Sequence, residues 1–364
     1  MSRNPGRVTI GELARKSGFS KATISMALRN SAKIPQVTRD RIKLLAKEMG
    51  YRPDPERAKL MASISRKSGG DTVIGFIRSG REAGWTPLER LCYEALTEHA
   101  DQNGYKVDVF WLFDPKTTPE KVNNFMWNRG IEGLVIPMVR SLNFQKDLRT
   151  LPINWEKFCC VEIADTLEYP LISNVRHNHF TAMFQSLAQL EALSYKRIGF
   201  CMESDLQRRT HHRWTAAYFL WREIRGLSRE LPVYFPETYK AKSLTDWVTK
   251  NALDVVISPG VEAYELLIES GFKVPKDIAF ATLDRWGQHA DQISGIDQDM
   301  AGQAVAAFEI LVGLLHRRSF GVPEKPTRSV LTGHWLHAST TRKPKKSHKL
   351  VTIETENLVE FEGN

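Results

Sequence analysis

With 364 residues, 42% of them apolar and 26% charged, the chain is too long for one hydrophobic core and too rich in apolar residues for a disordered polymer, so a small domain joined to a larger two-lobed one is expected. The formal net charge of +9 is unevenly spread: residues 1–67 hold 16 Lys and Arg against five acids, a net of +11, which leaves the rest of the chain at −2. A domain-sized basic head on a near-neutral body points to a polyanionic partner for the head alone.

The head opens on Thr9, Ile10, Gly11, Glu12, a capping box that predicts the start of a short helix. Ile10, Leu13 and Ala14 share its apolar face, Gly18 stops it and Phe19 is expected to pack as a staple. Ser20 caps a second helix from Lys21 to about Arg29, with Ile24, Ala27 and Leu28 at helical spacing. Two short helices joined by a three-residue turn with glycine make a helix-turn-helix. A third helix is expected from Gln36 or Val37 to Met49, carrying Ile42, Leu45, Ala46 and Met49 inward, with Gly50 as its stop. In such a unit the second helix enters the major groove with its first residues toward base edges, so Lys21, Ala22, Ser25 and Met26 are the candidate readers.

After Pro53, Asp54 caps and Pro55 begins a helix of about ten residues through Ile64, too short to be stable in water without a partner. Ser65 to Asp71, with Gly69 and Gly70, reads as a flexible joint. From Thr72 on, short apolar runs (Val73–Ile77, Val107–Phe113, Gly133–Pro137, Phe158–Ile163, Arg197–Met202, Leu253–Ser258, Ile278–Leu283) alternate with amphipathic segments (Leu88–Gln102, Pro119–Asn128, Thr181–Leu193, Arg213–Arg225, Val261–Ser270), the pattern of parallel sheets covered by helices on both faces. The tail from Arg342 to Asn364 is basic, then acidic, and keeps no heptad, so it is expected to be a disordered extension.

Nothing marks an enzyme or calls for a cofactor. Gly75, Gly80 and Gly84 have the wrong spacing for a dinucleotide fingerprint, and GxxxxGK[ST], GxSxG and HExxH are missing from the sequence. His177 with His179, and His211 with His212, lack a further ligand at fixed spacing and read as surface or loop histidines, not metal ligands. Cys92, Cys159, Cys160 and Cys201 sit in no CxxC pair and read as reduced, mostly buried thiols. The apolar stretch Ala304 to Leu315 is 12 residues long and holds Glu309, short of the roughly 20 that span a bilayer, and Met1, Ser2, Arg3, Asn4, Pro5 begin no apolar leader. A cytoplasmic protein with no membrane partner is expected.

The run of Val8 through Ala14, Gly18, Ser20, Thr23, Ile24, Ser25, Leu28, Thr38, Arg39, Ile42, Ala46, Gly50, Tyr51, Arg52 and Pro53 resembles the head of the LacI/GalR family of bacterial transcription regulators. The likeness continues, less sharply, to about residue 341: Ser194, Tyr195, Lys196, Arg197, Ile198, Gly199 and Gly271 through Ile278 stand where the family has recurrent body segments. The resemblance implies a small all-α helix-turn-helix domain plus an α/β two-lobed periplasmic-binding-protein-like domain of type I. The divisions would be 1–53 for DNA binding, 54–71 for a hinge helix and linker, 72–341 for effector binding and dimerisation, and 342–364 for the extension. It implies a homodimeric repressor on double-stranded operator DNA, released or engaged by a small-molecule effector between the lobes.

Carried over residue by residue, the DNA-contacting set is Thr9, Ser20, Lys21, Ala22, Thr23, Ser25, Met26, Arg29, Lys33, Thr38, Arg39 and Tyr51, with Leu60 as a minor-groove wedge from the hinge helix. Met26 departs from the family, which usually has a guanine-reading arginine there; a thioether cannot make that bidentate bond, so readout is expected to be apolar. The effector set is Arg213, Asp284 and Asn178, with Trp85 and Trp286 as stacking faces, while a lone tryptophan, Trp214 among them, is equally at home in a core or an interface. His177, Pro259, Gly260 and Arg285 stand where the family has two acids and an Asn-Asp pair, which favours a more anionic ligand over a plain sugar, or no ligand. Crossovers between lobes are expected near Leu171–Val175, Ser294–Gln298 and Pro323–Arg328. Two rivals stay open: a body that answers to a protein or to nothing, and a Rossmann-type enzyme with a DNA-binding head, the latter disfavoured by the missing glycine loop.

Overall fold

The computed structural model describes residues 8–28, 34–51, 72–80, 84–139, 150–227, 231, 233–287 and 289–344. Arg29, Lys33, the expected hinge helix with Leu60, the linker and the tail beyond 344 lie outside the described residues. The chain divides into two compact units, one of Met1–Gly70 with His316–Ser319, containing the head, and one of Asp71–Leu315 with Phe320–Asn364, the body.

In the head, α1 (Ile10–Ser17), α2 (Lys21–Leu28) and α3 (Gln36–Glu48) form where the apolar spacing puts them. The capping box is made in full: the Glu12 amide donates to Thr9 Oγ1 at 3.3 Å and the Thr9 amide to Glu12 Oε2 at 2.7 Å. Gly18 takes φ +75°, a left-handed turn that lets its amide close α1 on the Ala14 carbonyl. Ser20 Oγ then accepts the Thr23 amide at 3.0 Å and starts α2. Leu13, Ile24, Ala27, Ile34, Ile42 and Ala46 bury against one another as the head's own core, and Phe19 is half-buried beside them. Since the Thr9 hydroxyl accepts the orphan Glu12 amide and donates to the Glu12 carboxylate, Thr9→Ala is expected to lower the head's stability by about 1 kcal/mol, read as an earlier loss of helical circular dichroism on heating.

The body's first lobe is laid down as β1 (Thr72–Arg78), α4 (Pro87–Gln102), β2 (Tyr105–Trp111), α5 (Pro119–Asn128), β3 (Gly133–Ile136), β4 (Cys159–Ile163) and β5 (Ser173–His177). The second contains α6 (His179–Ala192), β6 (Ile198–Phe200), α7 (Ser204–Arg209), α8 (Arg213–Ile224), α9 (Ala241–Lys250), β7 (Val255–Ser258), α10 (Glu262–Glu269), β8 (Ala279–Thr282) and β9 (Ser294–Asp297). The chain then returns through α11 (Met300–Arg317) and β10 (Arg328–Leu331) to the first lobe and ends in the second with β11 (His334–Leu336).

The first sheet runs β10-β5-β4-β3-β1-β2, parallel throughout, and the second β11-β9-β8-β7-β6, parallel except for β11. Helices α4 and α11 cover one face of the first sheet with Leu88, Leu96, Phe308 and Leu311, and α5 lies over the other with Val122 and Met126. The second lobe packs α6, α8, α9 and α10 on Phe200, Val256 and Phe280. All four cysteines are free and buried, and burial pushes the thiols of Cys92 and Cys201 up to about 12. Among the described residues no helix is long and apolar enough to cross a membrane.

Three expectations need correction. Two of the crossovers fall later than the sequence suggests, after His177 and between Leu331 and His334, since Ser173–His177 is itself a strand; the one expected near Ser294–Gln298 follows Asp297. β5 (SNVRH) and β10 (RSVL) are at least half polar, so neither shows the continuous apolar run that betrays an inner strand. Helices α7, α9 and α11 were not expected. In α11, Met300, Gln303, Ala304, Ala307, Phe308 and Leu311 bury at helical spacing, a stripe hidden by apolar neighbours all round it. Finally, His177 is 2% exposed and is neither a surface nor a loop residue.

Candidate functional site

The head presents an uncovered face of α2. Ile24 and Ala27 are fully buried, which turns the other side of α2 outward; Lys21 and Ala22 are exposed at its start, with Ser25 and Met26 half-buried one turn on. The stem of Lys21 passes over Gly11, where a Cβ would stand 3.5 Å from its Cε. Met26 packs partly against the head's core, so only part of its thioether is presented to a partner. Thr9, Ser20 and Thr23 spend their hydroxyls on helix starts, Ser20 and Thr23 bonding each other at 2.9 Å. Their place is at the N-terminal ends of α1 and α2, where backbone amides and hydroxyls meet phosphate. On α3 and beyond, Thr38 and Tyr51 are half-buried, and Arg39 hydrogen-bonds Gln36 Oε1.

In the body, the expected effector residues follow the carboxyl ends of strands, the position where open α/β sheets take ligands. Trp85, after β1, stacks on Phe76 at 6.0 Å and lies under the Arg78 guanidinium at 4.9 Å. Asn178, after β5, accepts the Thr181 amide at 3.2 Å and caps α6. Asp284, after β8, accepts from Trp286 Nε1 at 3.0 Å, so acid and indole hold one another in a single turn. Trp214 is 2% exposed, set edge-on to His179 with ring centroids 4.5 Å apart, and belongs to the second lobe's core.

Arg213, at the start of α8, bonds Asp165, a carboxylate in the turn after β4 of the opposite lobe. Asp165 was not anticipated. It is 8% exposed and also draws Arg176 of β5 and Arg328 of β10, each at 3.7 Å, together with the Asn174 amide at 3.1 Å. His211, beside Arg213, meets its backbone carbonyl at 3.1 Å. Asn174 and Arg176 are two apart on one strand and Arg328 pairs with Asn174 in register, which is why all three share a sheet face. The arginines lie 37 and 115 residues apart in sequence, and only the pairing of β5 with β10 brings the outer two together.

Burial first, and the Arg176 charge second, pull the His177 imidazole down to about 4. His179 is held well below the ordinary histidine range mainly by burial. A histidine kept neutral in the fold contributes stability that is present above pH 6.5 and lost as the pH falls toward 4, while Glu162, pushed up to about 7 by burial, has the opposite sign and loses its contribution as the pH rises from about 4.5 to 7. The His177 ring-proton resonances are expected to stay still by NMR from pH 8 to 5; a midpoint near 6.5 would show the ring to be solvated. Among the described residues, no three His, Cys, Asp or Glu side chains are grouped to hold a metal ion.

The model of bacterial regulatory proteins of the lacI family matches residues 9–54, the helix-turn-helix just described. The HTH-type transcriptional regulator MalR of Streptococcus pneumoniae is 21% identical over 195 residues, 53% of this chain and 56% of MalR. The HTH-type transcriptional repressor CytR of Escherichia coli is 25% identical over 196 residues, 52% of each chain. The match thus spans about half the length of these curated relatives. A lac repressor dimer solved with operator and the anti-inducer ONPF superposes with a TM-score of 0.54 at 15% identity, covering 92% of this chain and 99% of that one, a likeness of fold. Residues 9–54 thus match the helix-turn-helix of the lacI family of bacterial regulatory proteins, and the two-lobed α/β body has the fold of the lac repressor.

Proposed function

We propose that this chain is a sequence-specific, DNA-binding transcriptional regulator, a repressor that acts as a homodimer in the cytoplasm and carries no catalytic activity. One observation carries the reading: the exposed start of α2, with Lys21 and Ala22 outward and Ile24 and Ala27 buried, in a head of net charge +11. A helix so presented reads major-groove edges, and a symmetric pair reads two half-sites about one turn apart. Arg29, Lys33, Thr38 and Arg39 set register on phosphates, and Leu60 of a hinge segment within 54–71 wedges the minor groove. The body over 72–341 dimerises and takes a small-molecule effector between its lobes, near Arg213, Asp284 and Asn178. Effector binding shifts the lobes and changes operator affinity by its differential binding to the two states.

The test is footprinting and fluorescence anisotropy of the purified chain on DNA from upstream of its own reading frame. A protected, two-fold symmetric site is expected, with affinity that falls steeply as salt rises. Lys21→Ala is expected to weaken binding about tenfold at that site and far less on unrelated duplex, as loss of a base contact would. No symmetric footprint, or equal binding to all duplexes, would overturn the reading.

A further inference from the structure

We propose that the body's effector is a small molecule carrying a phosphate monoester, gripped by Arg176, Arg213 and Arg328, and that Asp165 holds those arginines across the lobes until the phosphate displaces it. The inference rests on the reading of the inter-lobe cleft as an effector site. Three guanidinium groups converge on one carboxylate: Arg213 bonds it directly, and Arg176 and Arg328 each stand 3.7 Å away. The group therefore carries an excess of two positive charges, matched by a dianion. A phosphate monoester is a dianion near neutral pH with three outer oxygens, and guanidinium forks suit it in geometry as well as charge.

Other groups beside the arginines also wait for partners. His177 and Trp214, each 2% exposed, leave His177 Nδ1 and Nε2 and Trp214 Nε1 without a hydrogen bond, and Nε of Arg176 and Oδ1 of Asn174 are buried in the same condition. Buried polar atoms left unpaired cost stability, and such a cost is sustained where a bound partner satisfies them. The phosphate sits with the arginines, and the unpaired Asn174 Oδ1 lies on the same sheet face as Arg176.

Asp165 is the competitor. It belongs to the first lobe and Arg213 to the second, so their contact ties the lobes. A phosphate that takes Arg213 replaces that internal tie with one made through the ligand.

The experiment is calorimetric titration and thermal melting of the full chain with glucose 6-phosphate as probe, against glucose and gluconate at matched ionic strength. Glucose 6-phosphate is expected to raise the melting temperature by at least about 2 °C at saturating concentration and the other two to leave it unmoved. Because the head is basic too, variants locate the site. Arg328→Gln, at a partly exposed position, should weaken binding about tenfold or more, whereas Asp165→Asn should strengthen it several-fold while lowering the melting point of the unliganded chain. A merely structural Asp165 would give weaker binding in that variant. Stabilisation by glucose but not by the phosphate, no response to any probe, or weaker or unchanged binding in Asp165→Asn would each overturn the proposal. Operator footprinting on the same preparation separates the two failures, since a chain that binds DNA but no phosphate loses only this inference.

Discussion

A chain lacking residues 1–71 is expected to lose at least about a thousandfold in affinity for double-stranded DNA at low salt, while keeping the circular dichroism and melting transition of the body. Residues 68–364 sum to −2, so the remainder has no positive field with which to hold a duplex. Its two lobes close their own cores: Phe200, Trp214, Tyr218 and Phe280 in one, Phe76 and Phe308 in the other, all 2% exposed or less. Among the described residues, the head's core is a separate group around Leu13, Ile24 and Ile42. Anisotropy titration of both chains on one labelled duplex reads the difference. Equal affinity at 50 mM salt would mean that the body, not the basic head, carries the binding.

Gly333→Ala is expected to destabilise the body by about 3 kcal/mol and to blunt any effector response, measured by chemical denaturation and by ligand-dependent DNA release. The added methyl would stand 2.1 Å from the Asp297 carbonyl oxygen and 2.9 Å from the His177 ring. The first of these is backbone and cannot rotate aside, so the strands must part. The three residues mark the three passages between lobes, which makes this the tightest point of the joint. A variant as stable and as responsive as the parent would show that the strands separate freely there.

The head was readable almost residue by residue because its signals are local: a capping box at Thr9 and Glu12, a left-handed glycine at Gly18 and buried positions at helical spacing are all decided within a few neighbours. Strands β1 to β4 and β6 to β8 were readable for a related reason, since they write largely apolar runs. The joint was not. β5 and β10 are short and at least half polar, and the partners that make them strands lie far away in the chain, Arg328 beside Asn174 and Leu331 beside His177. The same distance hid Asp165. A lone aspartate in a turn has no pattern, and its meaning comes from three arginines that only tertiary pairing assembles around it. Arg213 and Asp284 were visible through resemblance, but that Arg213 reaches the opposite lobe and that Asp284 is engaged by Trp286 are facts of geometry.

The three passages also limit how the body can move. On one side, Leu331 lies in register with His177 in a parallel ladder; on the other, His334 is bonded in register to Asp297 in an antiparallel one. Sliding one lobe past the other would stretch the short links between these ladders, only two residues long between Leu331 and His334, whereas flexing costs only dihedral changes in them. The body is thus built like a door on three adjacent pins: it can swing, and it resists shear.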